Sequence, residues 1–274
     1  MDIVTELKDS KLYTLHSHTQ FCDGHATMEA MARAALAEGF THYGFSPHSP
    51  VPIDSPCNMR AEDVPAYLAE VMRIRDLYGD RCHFYAGMEI DYLGPDWGPA
   101  NDYFRGLPLD YRIGSVHFIP TQEGVLTDID GSIDRFRERV IHDFHGDLRY
   151  VVDTFFAHTL DMVYAGGFDI IGHVDKIGLR ASVCQPGIEQ EHFYQQHLEN
   201  LIDSIVEAGL IVELNTKSYK DQLRMFPDIP LLRKFIERRV PVIVNSDAHR
   251  PERVNASRLQ GLAMVERIKE ELHQ

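Results

Sequence analysis

Cysteine is scarce. The 274 residues include four (Cys22, Cys57, Cys82 and Cys184), with no C-x-x-C pair among them. That excludes a disulfide scaffold, gives no thiolate metal site, and suits a reducing compartment. Basic residues are outnumbered: 27 Lys and Arg stand against 42 Asp and Glu, for a net charge of −15. The basic patch that holds long nucleic acids or anionic membrane surfaces is therefore missing. No apolar run approaches the roughly 20 residues of a membrane span. The opening "MDIVTELKDSKLYTL" lacks the basic stretch and apolar core of a signal peptide, so a cytoplasmic location is expected. Repeats, low-complexity tracts and linkers are also absent. The expectation is a single domain over residues 1–274.

What the chain has is a large apolar fraction, 44%, and fifteen histidines. The apolar residues fall into short continuous runs: Leu12–Leu15, Thr41–Phe45, His83–Met88, Tyr111–Val116, Ile170–Gly172, Leu210–Leu214 and Pro241–Val244. Runs of this kind read as strands covered on both faces. Helical patterns lie between them. Thr27 can cap "MEAMARAALAE", which Gly39 stops, and "AEDVPAYLAEVMRIRDLYGD" carries proline in its first turn. Similar patterns occupy "DLRYVVDTFFAHTLDMVYAGG", "EQEHFYQQHLENLIDSIVEAG", "DIPLLRKFIERRV" and "SRLQGLAMVERIKEEL". This alternation predicts an α/β fold with a parallel sheet and right-handed crossovers. A distorted (β/α)7 TIM-like barrel is the leading architecture and an open doubly wound sheet the alternative. The irregular stretches Pro47–Arg60 and Leu93–Leu109 are expected on the active-site face.

Ligand-type residues share one phase in these units. They are His16, His18 and Asp23 after the first strand, His48 after the second, and Glu89 ending the third. His117 follows the fourth, His173 and Asp175 the fifth, Asn215 ends the sixth, and Asp247 and His249 follow the seventh. In a parallel barrel these C-terminal strand ends meet at one mouth. An isolated H-x-H is a weak signal, but scattered core or surface histidines have no reason to share this phase. His42 and His83 lie at strand starts and so at the opposite end. His142, His145, His192 and His197 are expected on solvated helix faces, and His158 packed on a helix. His25 either touches the site or caps the next helix. Glu89 sits in an otherwise apolar run, where a carboxylate is costly unless paired or ligating.

The metal-ligand candidates are His16, His18, Asp23, His48, Glu89, His117, His173, Asp247 and His249. They exceed the needs of one catalytic zinc. Two or three divalent ions about 4 Å apart fit better, and mixed imidazole and carboxylate donors suit Zn, Mn or Fe.

The segments "HSHTQFCDG", "SPHS", "GSVH" with "IGHVD", and "NSDAH" resemble, in order, the four motifs of the PHP (polymerase and histidinol phosphatase) family. The intervening "MEID" and "VELN" also fit. Within the family the chain looks like a stand-alone histidinol-phosphate phosphatase. The resemblance implies a trinuclear site. His16, His18, Glu89 and Asp247 would hold one ion, Glu89, His117 and His173 a second, and Asp23, His48 and His249 a third. Many members carry histidine near the position of Asp23, which leaves Asp23 and His25 as alternatives.

The implied reaction is hydrolysis of a phosphate monoester, with water activated at the metals for in-line attack on phosphorus. Glu89, Asp247 and His249 are the catalytic candidates. Lys176, Arg180 and Asn215 are the candidates for binding substrate, with Lys217, Tyr219 and Arg224 as further cations or donors. Asp175 is expected to orient His173. Val51–Met59 or Asp91–Trp97 would receive the ammonium and imidazole of histidinol. Other expected substrates are nucleotides or other small phosphate esters. An amidohydrolase or a non-catalytic metal domain would differ in its ligand set, and association into a homo-oligomer is left open.

Overall fold

The computed structural model describes residues 3–7 and 10–273. Its strands are β1 (Tyr13–Thr14), β2 (His42–Phe45), β3 (His83–Ala86), β4 (Glu89–Asp91), β5 (Ile113–Ser115), β6 (Phe118–Pro120), β7 (Leu126–Asp128), β8 (Ile170–Ile171), β9 (Ile211–Asn215) and β10 (Val242–Asn245). The helices are α1 (Ile3–Leu7), α2 (Met28–Ala37), α3 (Val64–Tyr78), α4 (Asp102–Arg105), α5 (Ile133–His142) and α6 (Leu148–Ala165). They continue with α7 (Ile177–Cys184), α8 (His192–Ala208), α9 (Tyr219–Gln222), α10 (Ile229–Glu237) and α11 (Arg258–Leu272).

Each predicted apolar run contributes a strand, because helices or barrel contents cover both of its faces; β9 is buried at every position. Strands β1, β2 and β3 pair in parallel. Strands β4, β5, β8, β9 and β10 form a second parallel series. Two parallel bridges join the series, Ser17 with Ala248 and His48 with Glu89. At the first of these the His18 amide donates to the Ala248 carbonyl at 2.8 Å. The ring is therefore closed, which rules out the open doubly wound sheet.

Strands β3 and β4 are two halves of one barrel position, broken at Gly87. A Cβ on Gly87 would lie 2.2 Å from the ring of buried Tyr111, so only glycine lets that ring fill the barrel. The Tyr111 hydroxyl in turn donates to the Leu15 carbonyl. Tyr67 of α3 donates to the carbonyls of Phe45 and Gly87 at 3.0 and 2.6 Å, which ties the helix to the break.

Helix starts follow the capping chemistry. Thr27, Ser132 and Asp147 accept from the amides of Ala30, Arg135 and Tyr150. Between helices and sheet lie two apolar layers, one around Met31, Phe45, Tyr67 and Phe84, the other around Phe155, Phe156, Leu201 and Val212. Leu15, Tyr85, Tyr111, Ile170 and Ile243 fill the barrel interior. Each such side chain contributes about 1.5–3 kcal/mol of burial. The scaffold can therefore bear the cost of burying a polar mouth.

The hairpin β6–β7 and helix α5 are absent from the sequence prediction. The three-residue strands are too short to show periodicity, and α5 buries only Phe136 and Val140. The stretch Leu93–Leu109 departs from expectation. It packs on the outer core through Trp97 and Phe104, and the Trp97 indole donates to the Pro50 carbonyl at 3.1 Å. His42 and His83 stack at the strand starts, 5.2 Å apart, as expected. His142, His145 and His192 are exposed, and His158 packs edge-on to Tyr92. His197 is not simply solvated, since it stacks on Phe156 and bonds Asp153 at 2.7 Å.

Candidate metal centre

The residues that end the strands turn inward at one mouth. His16 and His18 alternate with Ser17, whose hydroxyl points away to the Gly44 carbonyl. The extended backbone thus sends both imidazoles to the same side. His48 and Glu89 face each other across their bridge. His173 and Asp247 adopt positive φ, 23° and 49°, so two of the site's side chains are aimed by left-handed backbone. Gly24 lets the turn after Asp23 close, because a Cβ there would lie 2.3 Å from the Thr19 amide nitrogen.

Glu89 is the hub. Its Oε2 lies 3.0 Å from His48 Nδ1, 3.2 Å from His16 Nε2 and 3.6 Å from His18 Nε2. Its Oε1 lies 2.8 Å from His173 Nε2 and 3.5 Å from His117 Nε2, and accepts from the Ser115 hydroxyl at 2.8 Å. Asp247 Oδ1 lies 3.2 Å from His18 Nε2 and 3.4 Å from His249 Nδ1. Asp23 Oδ1 lies 3.3 Å from His249 Nε2 and 3.8 Å from His48 Nε2.

Among the described residues, three groups have donor atoms within 4.8 Å of one another: His18, Asp23, His48 and His249; His16, His18 and Asp247; and His48, Glu89 and His117. The nine residues picked out in the sequence thus meet at one place. Their grouping differs from that implied by the family motifs. His18 and His48 each serve two groups, and His173 reaches Glu89 without joining the His48, Glu89 and His117 set. Asp23 belongs to a group, whereas His25 is exposed and offers only its amide, to the His249 carbonyl.

The donor set fits bound cations. His16 Nε2, His18 Nε2, Asp23 Oδ1 and Glu89 Oε2 are buried with no hydrogen-bond partner among the described residues. Each such atom costs roughly 1–3 kcal/mol, a burden that ligation would remove.

Burial would push Glu89 up, but His16, His48 and His117 outweigh it and hold the carboxyl well below the usual range. Asp247 is likewise lowered against its burial, first by Lys217 and then by His16. His18 is lowered by burial and by neighbouring His249 and His48, and His173 is lowered to about 4 by burial and Lys176. These two are neutral near pH 7, the form that ligates metals. His48 is raised to about 9, because Glu89 and Asp23 overcome its burial.

Two carboxylates orient ligand rings, a role the sequence assigns to neither: Glu213, and Asp91, which is expected there only as part of the Asp91–Trp97 wall. Glu213 Oε1 lies 2.6 Å from His16 Nδ1, and Asp91 Oδ1 lies 2.6 Å from His117 Nδ1. Each commits one ring nitrogen and leaves Nε2 for the centre. The signal was a second acid or amide two residues along the strand, in "EID" and "ELN", and therefore on the same face.

Asp175 does not orient His173. Its Oδ2 accepts from Arg224 and from the Asp228 amide, and burial raises its carboxyl to about 6. Asn215 braces the site, donating to Glu213 at 3.2 Å and to Asp247 at 3.0 Å. Arg224 is consumed by Asp175 and Glu189. Cys22 lies 3.4 Å from His18 Nδ1, but burial pushes its thiol to about 12, leaving little reactive thiolate.

The site opens into a cleft of about 740 Å³. Its walls are residues 53–58, the β6–β7 hairpin, Arg135 and Arg139 of α5, and Lys176, Arg180 and Lys217. Lys176 Nζ meets Asp130 Oδ2 at 2.5 Å, and Arg180 meets Asp130 Oδ1 at 3.2 Å. Lys217 Nζ is 3.2 Å from Asp247 Oδ1. Cations thus ring a floor of imidazole and carboxylate, a suitable surround for an anionic substrate once cations neutralise the floor.

Among curated proteins, the chain is 29% identical over 252 residues to a probable histidinol-phosphatase of Deinococcus radiodurans, covering 87% of this chain and 86% of that one. It is 25% identical over 256 residues to a probable histidinol-phosphatase of Schizosaccharomyces pombe, covering 87% and 81%. The fold matches that of a histidinol phosphate phosphatase from Lactococcus lactis, solved with zinc, L-histidinol and phosphate. That match has a TM-score of 0.72 at 17% identity and covers 93% of each chain. The PHP domain model matches residues 14–217, a span that carries every candidate ligand except Asp247 and His249, which the last strand supplies. With the match spanning most of the chain and the ligands gathered at one barrel mouth, the chain belongs to the PHP domain family.

Proposed function

We propose that the protein is a metal-dependent phosphate monoester hydrolase acting on L-histidinol phosphate in the cytoplasm, with residues 1–274 forming one catalytic domain. The observation that carries this reading is the mouth itself. Nine imidazole and carboxylate side chains converge there with buried unpaired donor atoms, beneath a ring of cations. The names of the curated relatives and the ligands of the Lactococcus lactis enzyme support the substrate.

Three clusters support two or three divalent ions, zinc foremost. His16, His18 and Asp247 would hold one, His48, Glu89 and His117 another, and Asp23 and His249 with His18 and His48 a third, Glu89 lying between. When bound, such ions lower the pKa of water and neutralise phosphoryl oxygens.

The chain's own groups do the rest. Glu213 and Asp91 hold His16 and His117 in the tautomer protonated at Nδ1. Asn215 and Lys217 fix Asp247. Lys176, Arg180 and Lys217 present charge to the phosphate from the wall, and Asp54 with Ile53 and Phe118 faces the histidinol end.

The test is phosphate release from histidinol phosphate by purified protein supplied with zinc or manganese, beside a panel of nucleotides and phosphotyrosine. Turnover of histidinol phosphate above the others is expected. Its absence, with turnover of another ester, would overturn the substrate.

A further inference from the structure

One side chain ties the cleft wall to the metal centre. Asn58 Oδ1 accepts from the Ser55 hydroxyl at 2.6 Å. Its Nδ2 donates to the Ser49 carbonyl and to Asp91 Oδ2, each at 2.8 Å. Asp91 is fully buried, and its other oxygen holds His117 Nδ1. The loop leaves the barrel at His48 and returns to it, the Met59 amide donating to the His48 carbonyl at 3.1 Å. The wall residues Ile53–Asn58 are therefore folded around Asn58, which also braces the carboxylate that aims His117.

From this geometry we infer that Asn58 is a positioning residue for His117, coupling the substrate-facing wall to the metal centre. The inference rests on the metal-dependent reading above. Its physical basis is donor supply. Asp91 Oδ2 sits in a buried place where Asn58 is its side-chain donor. Without that donor the carboxylate is left half-paired and turns to find another, and the imidazole bonded to it turns too. Coupling of this kind is reciprocal: metal at His117 must steady the wall as the wall steadies His117. A residue that merely filled the loop would act through shape, and its donors would be dispensable.

The test uses the full chain stripped of metal and titrated with zinc, with no substrate present. N58D keeps the shape of Asn58 and loses both donors. The double variant N58D/D91N exchanges donor and acceptor, and retains an amide oxygen to accept from His117. We expect N58D to weaken zinc binding at one site by about 10- to 100-fold, and the double variant to regain about tenfold. Exposed Cys57 lies on the same loop, so zinc should slow its alkylation in the wild type and not in N58D. Wild-type titration by N58D, or a double variant no tighter than N58D, overturns the inference. If N58D does not fold, N58A replaces it with the same expected loss and the same alkylation readout. Failure here leaves histidinol phosphate hydrolysis standing, and absence of that hydrolysis leaves the zinc titration interpretable.

Discussion

Glu213 and His16 form a fully buried pair, Oε1 to Nδ1 at 2.6 Å, with Glu213 also accepting from the His173 amide at 3.0 Å. One carboxylate from β9 thus fixes the ring of one candidate ligand and the backbone of another. Glu213→Gln should weaken zinc binding by about 10- to 100-fold while the fold persists. Calorimetric titration with zinc, with circular dichroism as the control, measures this. A wild-type isotherm would show that His16 needs no such brace.

The metal-free protein should lose stability as the solution turns alkaline. His48 has its folded pKa raised to about 9 by Glu89 and Asp23, against an ordinary value near 6.5. A raised base contributes stability fully below the unfolded value and loses it as pH rises through the folded one. Chelated protein should therefore melt progressively lower from about pH 6.5 to 9. Zinc-loaded protein should not follow, because ligation favours deprotonated imidazole. Parallel melting curves for the two forms would refute the contrast.

Acidity acts in the opposite direction. Glu89 and Asp247 are held well below the usual carboxylate range, so the stability they confer is present above about pH 4 and fades as pH falls through their lowered values. Glu89→Gln removes the hub acceptor among five imidazoles. It should abolish most of the zinc-dependent activity, on the order of 100-fold or more in kcat/KM, and flatten the acid limb of chelated protein. An unchanged acid limb would place that dependence elsewhere.

Lys176 and Arg180 share Asp130 at the rim of the cleft. Arg180→Ala and Lys176→Ala should raise KM for a phosphate ester by about tenfold each with a smaller change in kcat, the signature of binding lost equally in ground and transition states. A fall in kcat alone would make these residues part of the reacting shell.

Gly87→Ala drives a methyl group into the Tyr111 ring at the break between β3 and β4. Overpacking of this kind should cost about 1–3 kcal/mol, measured by urea denaturation. Pairing it with Tyr111→Leu, which vacates the space, should return part of the loss.

Much of the architecture was legible in the residues. Runs such as "LIVELN" and "PVIVNSD" read as buried strands, and the shared phase of His16, His48, Glu89, His117, His173 and Asp247 follows from parallel strands ending at one mouth. Asp23 was separable from His25 only in three dimensions, because the turn at Gly24 decides which side chain faces inward. The bracing network was harder to read. Glu213 and Asp91 look like ordinary strand carboxylates until their partners from other strands are in place. Asp175 misled because its nearness to His173 in sequence does not survive the turn at His173, which sends it to Arg224. Asp130 and Asn58 sit in loops without periodicity, where sequence carries no distance information.

The Ser17–Ala248 bridge gives the centre a mechanical role. It joins the first and last strands of the barrel, and beside it His16 and His18 from one end of the chain face Asp247 from the other. A cation shared by those three would be a clasp across nearly the whole polypeptide, holding the two ends of the folded chain together for as long as it is bound. Chelation should therefore open the barrel first along this seam, and hydrogen exchange of the His18 amide would register the clasp being undone.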